Sequence, residues 1–240
     1  MSPDGRQPGL FTRAEAIVAS RVEVGRDSQL SLFSADLTPP EPGDLAGVLA
    51  GSGRIVPSPG GARLSVVLDA RWRLEALLRE CRVRDVQALP DGAPFDGGPP
   101  GGAVPANAGP PDGERQERWE LRLQQAPQLD ELAERWTQRS VKTVPEDLRL
   151  TAGLLRCWVV TAGRPSDVGY LLGLDPDAVD THVGWAAACA DAGITGSLVG
   201  VRTRFPAIRI VGHRRCQRLA ELVGSAPPEA PAGVFPTALH

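Results

Sequence analysis

Leu45-Ala46-Gly47-Val48-Leu49-Ala50-Gly51-Ser52-Gly53 and, 106 positions on, Thr151-Ala152-Gly153-Leu154-Leu155 decide how this chain is read. Without a gap, Leu45 to Asp69 lies over Thr151 to Asp175, and six of those 25 positions are identical: Ala46/Ala152, Gly47/Gly153, Leu49/Leu155, Pro59/Pro165, Leu68/Leu174 and Asp69/Asp175. About two matches are expected from average composition, so the order of elements carries more weight than the identities. Each copy opens with a short apolar helix of small residues. A Pro-marked turn leads into an apolar strand, Arg63 to Leu68 or Tyr170 to Leu174. Asp69 or Asp175 then caps a long helix. In the first copy this helix runs through Trp72, Leu74, Leu77 and Leu78; in the second it runs through Val179, Val183, Ala187 and Ala190 to a stop at Gly193.

Two strands come next, near Arg84 to Leu89 and Arg118 to Gln124 in the first copy. In the second they are Ser197 to Arg204 and Ala207 to Val211, joined tightly through Phe205-Pro206. Gln128 to Trp136 and His213 to Val223 close the copies as amphipathic helices. Helix–strand–strand–helix–strand–strand–helix, twice, is an α+β pseudo-dimer, with antiparallel sheets covered by helices on one face. The repeats span 44–140 and 141–224. Thr12-Arg13-Ala14-Glu15 has the spacing of a capping box and predicts a short helix over 12–24 within an N-terminal arm, 1–43. Seven Gly and seven Pro between Pro90 and Glu114 predict a flexible loop inside the first repeat, and the Pro- and Ala-rich tail, 225–240, reads as disordered.

The 240 residues are 42% hydrophobic and 23% charged, ordinary for a globular chain with a real core. A net charge of −3 excludes a uniformly basic nucleic-acid coat and leaves room for a local patch. No apolar run reaches the roughly 18–20 residues of a membrane span, and Met1-Ser2-Pro3-Asp4-Gly5 lacks the features of a signal peptide. These features point to a cytosolic protein. Cys81, Cys157, Cys189 and Cys216 are 76, 32 and 27 residues apart, so they read as buried thiols and not as a zinc site. His182, His213 and His240 form no H-E-x-x-H pattern, and neither a metal nor a cofactor is expected. Of 26 basic residues only Lys142 is a lysine.

Leu45 to Gly53 resembles the LAGLIDADG motif of homing endonucleases. Over both repeats the chain is similar to the tandem LAGLIDADG-like domain of WhiA-type transcription regulators. The resemblance implies two motif helices packed at a pseudo-twofold axis, where Ala46, Gly47, Ala152 and Gly153 allow close approach. In active nucleases of the family an acid at the end of each motif helix holds metal. The gapless repeat puts Ser52 and Trp158 there. Neither supplies the carboxylate oxygen that Mg²⁺ needs, so no nuclease activity is expected. The regulators also carry a C-terminal helix-turn-helix, and the 16 residues after Gly224 are too few for one, so their function is not carried over.

The residues give a separate reason to consider nucleic acid. Between Gly196 and Gly224 six arginines (202, 204, 209, 214, 215 and 218) face the single acid Glu221. Strand alternation places Val199, Val201, Ile208 and Ile210 on a core face and Arg202, Arg204 and Arg209 on the open one. Arg118 and Arg122 alternate in the same way with Trp119, Leu121 and Leu123. The resemblance implies that this open face straddles duplex DNA, with a regulatory or DNA-maintenance role and a place at the nucleoid. Two alternatives stand beside it. In one, Pro165 to Leu174 and the segment after Asp177 form the helices of a winged helix-turn-helix over 165–211, though with an acidic recognition helix. In the other, Gln29-Leu30-Ser31-Leu32-Phe33 is similar to the peptide that binds the bacterial sliding clamp, with Gln29 for hydrogen bonds and Leu30, Leu32 and Phe33 for apolar pockets. That would make the chain an interaction adaptor.

Overall fold

A computed structural model describes residues 32–88 and 118–236. The 12–24 helix, Gln29, Leu30 and the Gly/Pro loop of 90–114 lie outside the described residues. A 3-10 turn, Pro42–Leu45, leads into the first motif helix, α1 (Ala46–Ala50). Strands β1 (Arg54–Val56), β2 (Arg63–Leu68) and β3 (Trp119–Arg122) form an antiparallel sheet in that order, crossed by α2 (Arg71–Val83). Helix α3 (Asp130–Trp136) closes the copy. A two-stranded ribbon, β4 (Thr137–Gln138) with β5 (Val141–Lys142), leads to the second. The second motif helix is α4 (Ala152–Ala162), with Thr151 Oγ1 accepting the Leu154 N–H as its cap. Strands β6 (Gly163–Ser166), β7 (Gly169–Gly173), β8 (Ser197–Val199) and β9 (Ala207–Val211) form a sheet in the order β6-β7-β9-β8, all antiparallel. Helices α5 (His182–Asp191) and α6 (His213–Val223) complete it. Among the described residues no helix is long and apolar enough to cross a membrane.

The helices pair because glycine permits it. A Cβ on Gly47 would run into the Leu154 carbonyl and the Trp158 amide, and one on Gly51 would sit 3.1 Å from the Ala162 Cβ. Gly153 serves a different contact, lying against the Asp44 carboxylate. Around this crossing Leu45, Leu49, Leu155 and Val159 are buried. Trp185 of α5 stacks on Trp136 of α3 at 5.0 Å and tilts against Trp158 of α4 at 4.7 Å. The core is therefore continuous across the repeats.

The spacing of the repeat needs one correction. Gly53-Arg54 opens β1 and Gly163-Arg164 opens β6, an offset of 110, whereas β2 and β7 keep 106. Six residues join β1 to β2 and only two, Asp167 and Val168, join β6 to β7, which accounts for the four. Four residues is close to one helical turn, so a gapless alignment keeps the apolar phase of the motif helices while misplacing them. Pro165 lies inside edge strand β6 opposite Tyr170 and does not mark a turn. Residues 165–174 are thus a hairpin and supply no first helix for a helix-turn-helix.

Other expectations change with it. Asp69 does not cap α2; it pairs with Arg73 at 2.7 Å, and the N-cap is Ala70. Asp175 stands seven residues before α5 and pairs with Lys142. In α5 the exposed side is the one expected to be core: Val183 is 70% exposed and Val179 47%. His182, Trp185, Ala188 and Cys189 point inward instead, because burying Trp185 removes far more apolar area than any valine would. Gly193 does end the segment, at φ +77°. Among the described residues the strand expected from Arg84 shrinks to one bridge, Ala88 with Leu123. The first part of the tail is packed and not loose: Phe235 is buried and Tyr170 Oη donates to the Val234 carbonyl. At the other end Ser34, Ala35 and Asp36 of the arm are buried too.

Candidate nucleic-acid interface

The uncovered sheet faces carry rows of side chains fixed by strand register. In the first sheet Arg54, Ser65 and Arg122 stand opposite one another across β1, β2 and β3. Leu64, Val66, Leu68 and Leu121 turn to the helices. In the second sheet Arg164, Leu171, Arg209 and Ser197 form the matching row across β6, β7, β9 and β8. Tyr170, Leu172, Ile208 and Ile210 are buried on its other side. Each row thus presents two arginines separated by one strand, about 10 Å apart at normal strand spacing, or about three base-pair rises. Strand β6 follows α4 directly and β1 follows α1 after Gly51, Ser52 and Gly53, so Arg54 and Arg164 each come just after the end of a paired motif helix.

Sequence alternation identified Arg209 and Arg122 on these faces, and both are exposed there. Arg118 is exposed just ahead of β3. Arg202 and Arg204 are exposed too, but β8 ends at Val199 and they lie in a turn, 200–206, where strand parity has no meaning. The parity itself shifts by one: Leu198 opposes Ile208, so Leu198 and not Val199 shares the core face. Arg54, Arg63 and Arg164 were missed. For Arg54 and Arg164 the signal is a Gly-Arg pair after each motif helix, which becomes visible only once the 110-residue offset is known.

Acids temper the face. Arg122 is held by Glu120 at 2.8 and 2.9 Å, and Arg54 reaches Asp177 of the second repeat at 3.2 Å. Among the described residues Arg202, Arg204, Arg209 and Arg63 have no ion-pair partner.

The helix ends hold cations. Ser52 is exposed and donates to the Val67 carbonyl. Its counterpart at the 110-residue offset is Ala162, not Trp158, whose indole is buried and donates to the Gly173 carbonyl at 2.8 Å. Lys142 Nζ donates to the Gly51 carbonyl at 2.8 Å and pairs with Asp175. Burial lowers its pKa, against the pull of Asp175. Arg73 crosses from the first repeat to donate to the Val160 and Gly163 carbonyls of the second motif helix. Cations are the favoured charges at such carbonyl-rich ends. Among the described residues no three His, Cys, Asp or Glu side chains are grouped to hold a metal ion. Burial pushes the thiols of Cys157 and Cys189 up to about 12. Leu32 and Phe33 of the N-terminal peptide are 84% and 67% exposed, with the Arg218 guanidinium 5.8 Å from the Phe33 ring.

No family model matches the sequence, and no curated protein matches it. Solved structures similar in fold include the following three. The homing endonuclease I-WcaI bound to its DNA recognition sequence is 14% identical, with a TM-score of 0.49 over 86% of this chain and 92% of its own. The N-terminal LAGLIDADG domain of DUF199/WhiA is 10% identical, at 0.47 over 92% and 97%. Full-length DUF199/WhiA from Thermatoga maritima is 11% identical, at 0.47 over 91% of this chain and 64% of its own.

Proposed function

We propose that this chain binds duplex DNA across the open faces of its two sheets, in a regulatory or DNA-maintenance role, without cutting it. The observation that carries this reading is the pair of equivalent rows, Arg54–Ser65–Arg122 and Arg164–Leu171–Arg209. Arginines repeated at one strand spacing on an otherwise uncovered face suit phosphates and guanine edges. Ser52 and Ala162 at the helix ends offer no pair of metal-holding acids, which favours binding without hydrolysis. Anisotropy of a labelled duplex across a salt series tests it. Contacts to about three to six phosphates give a log–log slope of roughly −3 to −5. Replacing Arg164 and Arg209 by Ala, or Arg202 and Arg204 by Ala, should flatten that slope. No binding at low salt sinks the reading, and magnesium-dependent nicking lost in chelator sinks its second half.

The exposure of Leu32 and Phe33 favours a second role, as part of a peptide for the sliding clamp. Purified clamp should retain the wild type and lose the Leu32→Ala, Phe33→Ala variant.

A further inference from the structure

The turn from Gly200 to Pro206 is ordered on both sides and yet presents an aromatic ring to solvent. Gly200 adopts φ +64°, where a Cβ would meet the Phe205 carbonyl. The Thr203 amide and hydroxyl both donate to the Gly200 carbonyl at 2.8 Å, and the Thr203 hydroxyl accepts the Phe205 amide at 3.1 Å. Pro206 is buried, and its carbonyl accepts the Leu174 amide at 2.8 Å. Phe205 is thereby fixed, 69% exposed, on the open side of the second sheet. The Arg164 guanidinium lies over one face of its ring at 5.7 Å. The Arg164 Nε is buried without a hydrogen-bond partner among the described residues. Exposed Arg202 and Arg204 precede Phe205 in the same turn.

We infer that Phe205 is a stacking platform for an unpaired base in DNA held on the open face, a reading that rests on the DNA binding proposed above. A rigid exposed aromatic among unpaired arginines matches how proteins hold bases outside a helix: the ring stacks on the base while the guanidiniums take phosphates. Arg164 covers one ring face, so only the other is free. A wedge driven between two stacked base pairs needs both faces. One free face suits a single base already out of the stack, as at a bulge or gap, where no unstacking cost is added. The ligand class is therefore duplex DNA interrupted by an unpaired nucleotide.

The test compares a matched duplex with the same duplex carrying one bulged 2-aminopurine, using anisotropy for affinity and the 2-aminopurine emission for stacking. Wild type should bind the bulged duplex about tenfold tighter and quench its emission, within the range that base–aromatic stacking supplies. Phe205→Ala and Phe205→Leu should each lose both the preference and the quenching while binding the matched duplex as wild type does; Phe205→Trp should keep both. Circular dichroism confirms that the variants are folded. An unchanged preference in Phe205→Ala, or quenching retained in Phe205→Leu, overturns the stacking role and leaves the DNA reading intact. Absence of binding to either duplex by wild type overturns both.

Discussion

Individual residues on the open face are in competition for their partners, and Arg54 is the clearest case. Its guanidinium reaches Asp177 at 3.2 Å with both side chains largely in solvent, so the pair itself is worth little. A phosphate arriving there must displace Asp177 and also meets its charge. Asp177→Asn removes both obstacles, and duplex affinity should rise by up to about fivefold at low salt, the gain shrinking as salt screens it. Equal or weaker binding in anisotropy removes Arg54 from the interface. The thiols make a prediction of the opposite kind. Burial holds Cys157 and Cys189 protonated, with values raised from 9.0 to about 12. Their folded pKa lies above the unfolded one, so the stability they contribute is complete below pH 9 and is lost as pH rises from 9 toward 12. Alkylation of the native protein near pH 8 should therefore label Cys216, the one thiol that is not fully buried, and reach the other three only in denaturant. Mass spectrometry of the tryptic peptides reads this directly.

Secondary-structure elements differ in how far the sequence predicts them, and the reasons are physical. The motif helix at Leu45 is legible because leucines and small residues recur at helical spacing, and α6 is legible because its polar and apolar faces alternate cleanly. The face of α5 is not legible. Its middle is nearly all small and apolar, so spacing favours no side, and packing against Trp136 and Trp158 chooses Trp185. Strands β1 and β6 escape notice because they are three and four residues long and β6 contains Pro165. With them go Arg54 and Arg164, so half of each arginine row was hidden while Arg122 and Arg209 were not. The packing argument is testable in α5. Trp185→Ala should cost about 3–5 kcal/mol in urea unfolding, and Val183→Ala, on the side that periodicity favours, less than about 0.5. At the helix crossing, Gly47→Ala forces a methyl group onto backbone atoms and should cost about 1–3 kcal/mol or more. Gly43→Ala, with nothing within 4 Å of the added Cβ, is the matched control.

Across the whole molecule the two repeats are joined by buried charge as well as by the tryptophan cluster. Arg84 at the C-terminal cap of α2 donates to Asp44 at 2.9 Å and to Glu80 at 2.7 Å, and Arg156 on α4 donates to the other Glu80 oxygen at 2.7 Å. Arg156 also donates to the Val223 and Ser225 carbonyls, and Thr151 Oγ1 donates to Asp44. Asp36 of the arm accepts the Ser225 amide at 2.6 Å. Arm, first repeat and second repeat thus share one network whose charged members are all buried. Buried charges of this kind contribute little net stability when complete, and much instability when one partner is removed. Because Arg156 belongs to one repeat and Glu80 to the other, the repeats should unfold together. Far-ultraviolet circular dichroism and tryptophan emission should then trace a single coincident urea transition. Arg156→Met takes the Arg156 donor from one Glu80 oxygen and from two carbonyls, while Arg84 still pairs with the other Glu80 oxygen, and it should lower stability by about 3–5 kcal/mol. Glu80→Gln should cost less in the Arg156→Met background than in wild type, where it also breaks the Arg156 contact, a non-additivity that independent sites would not produce. Two separate transitions in wild type, or strictly additive losses in the double variant, would show that the network does not couple the repeats.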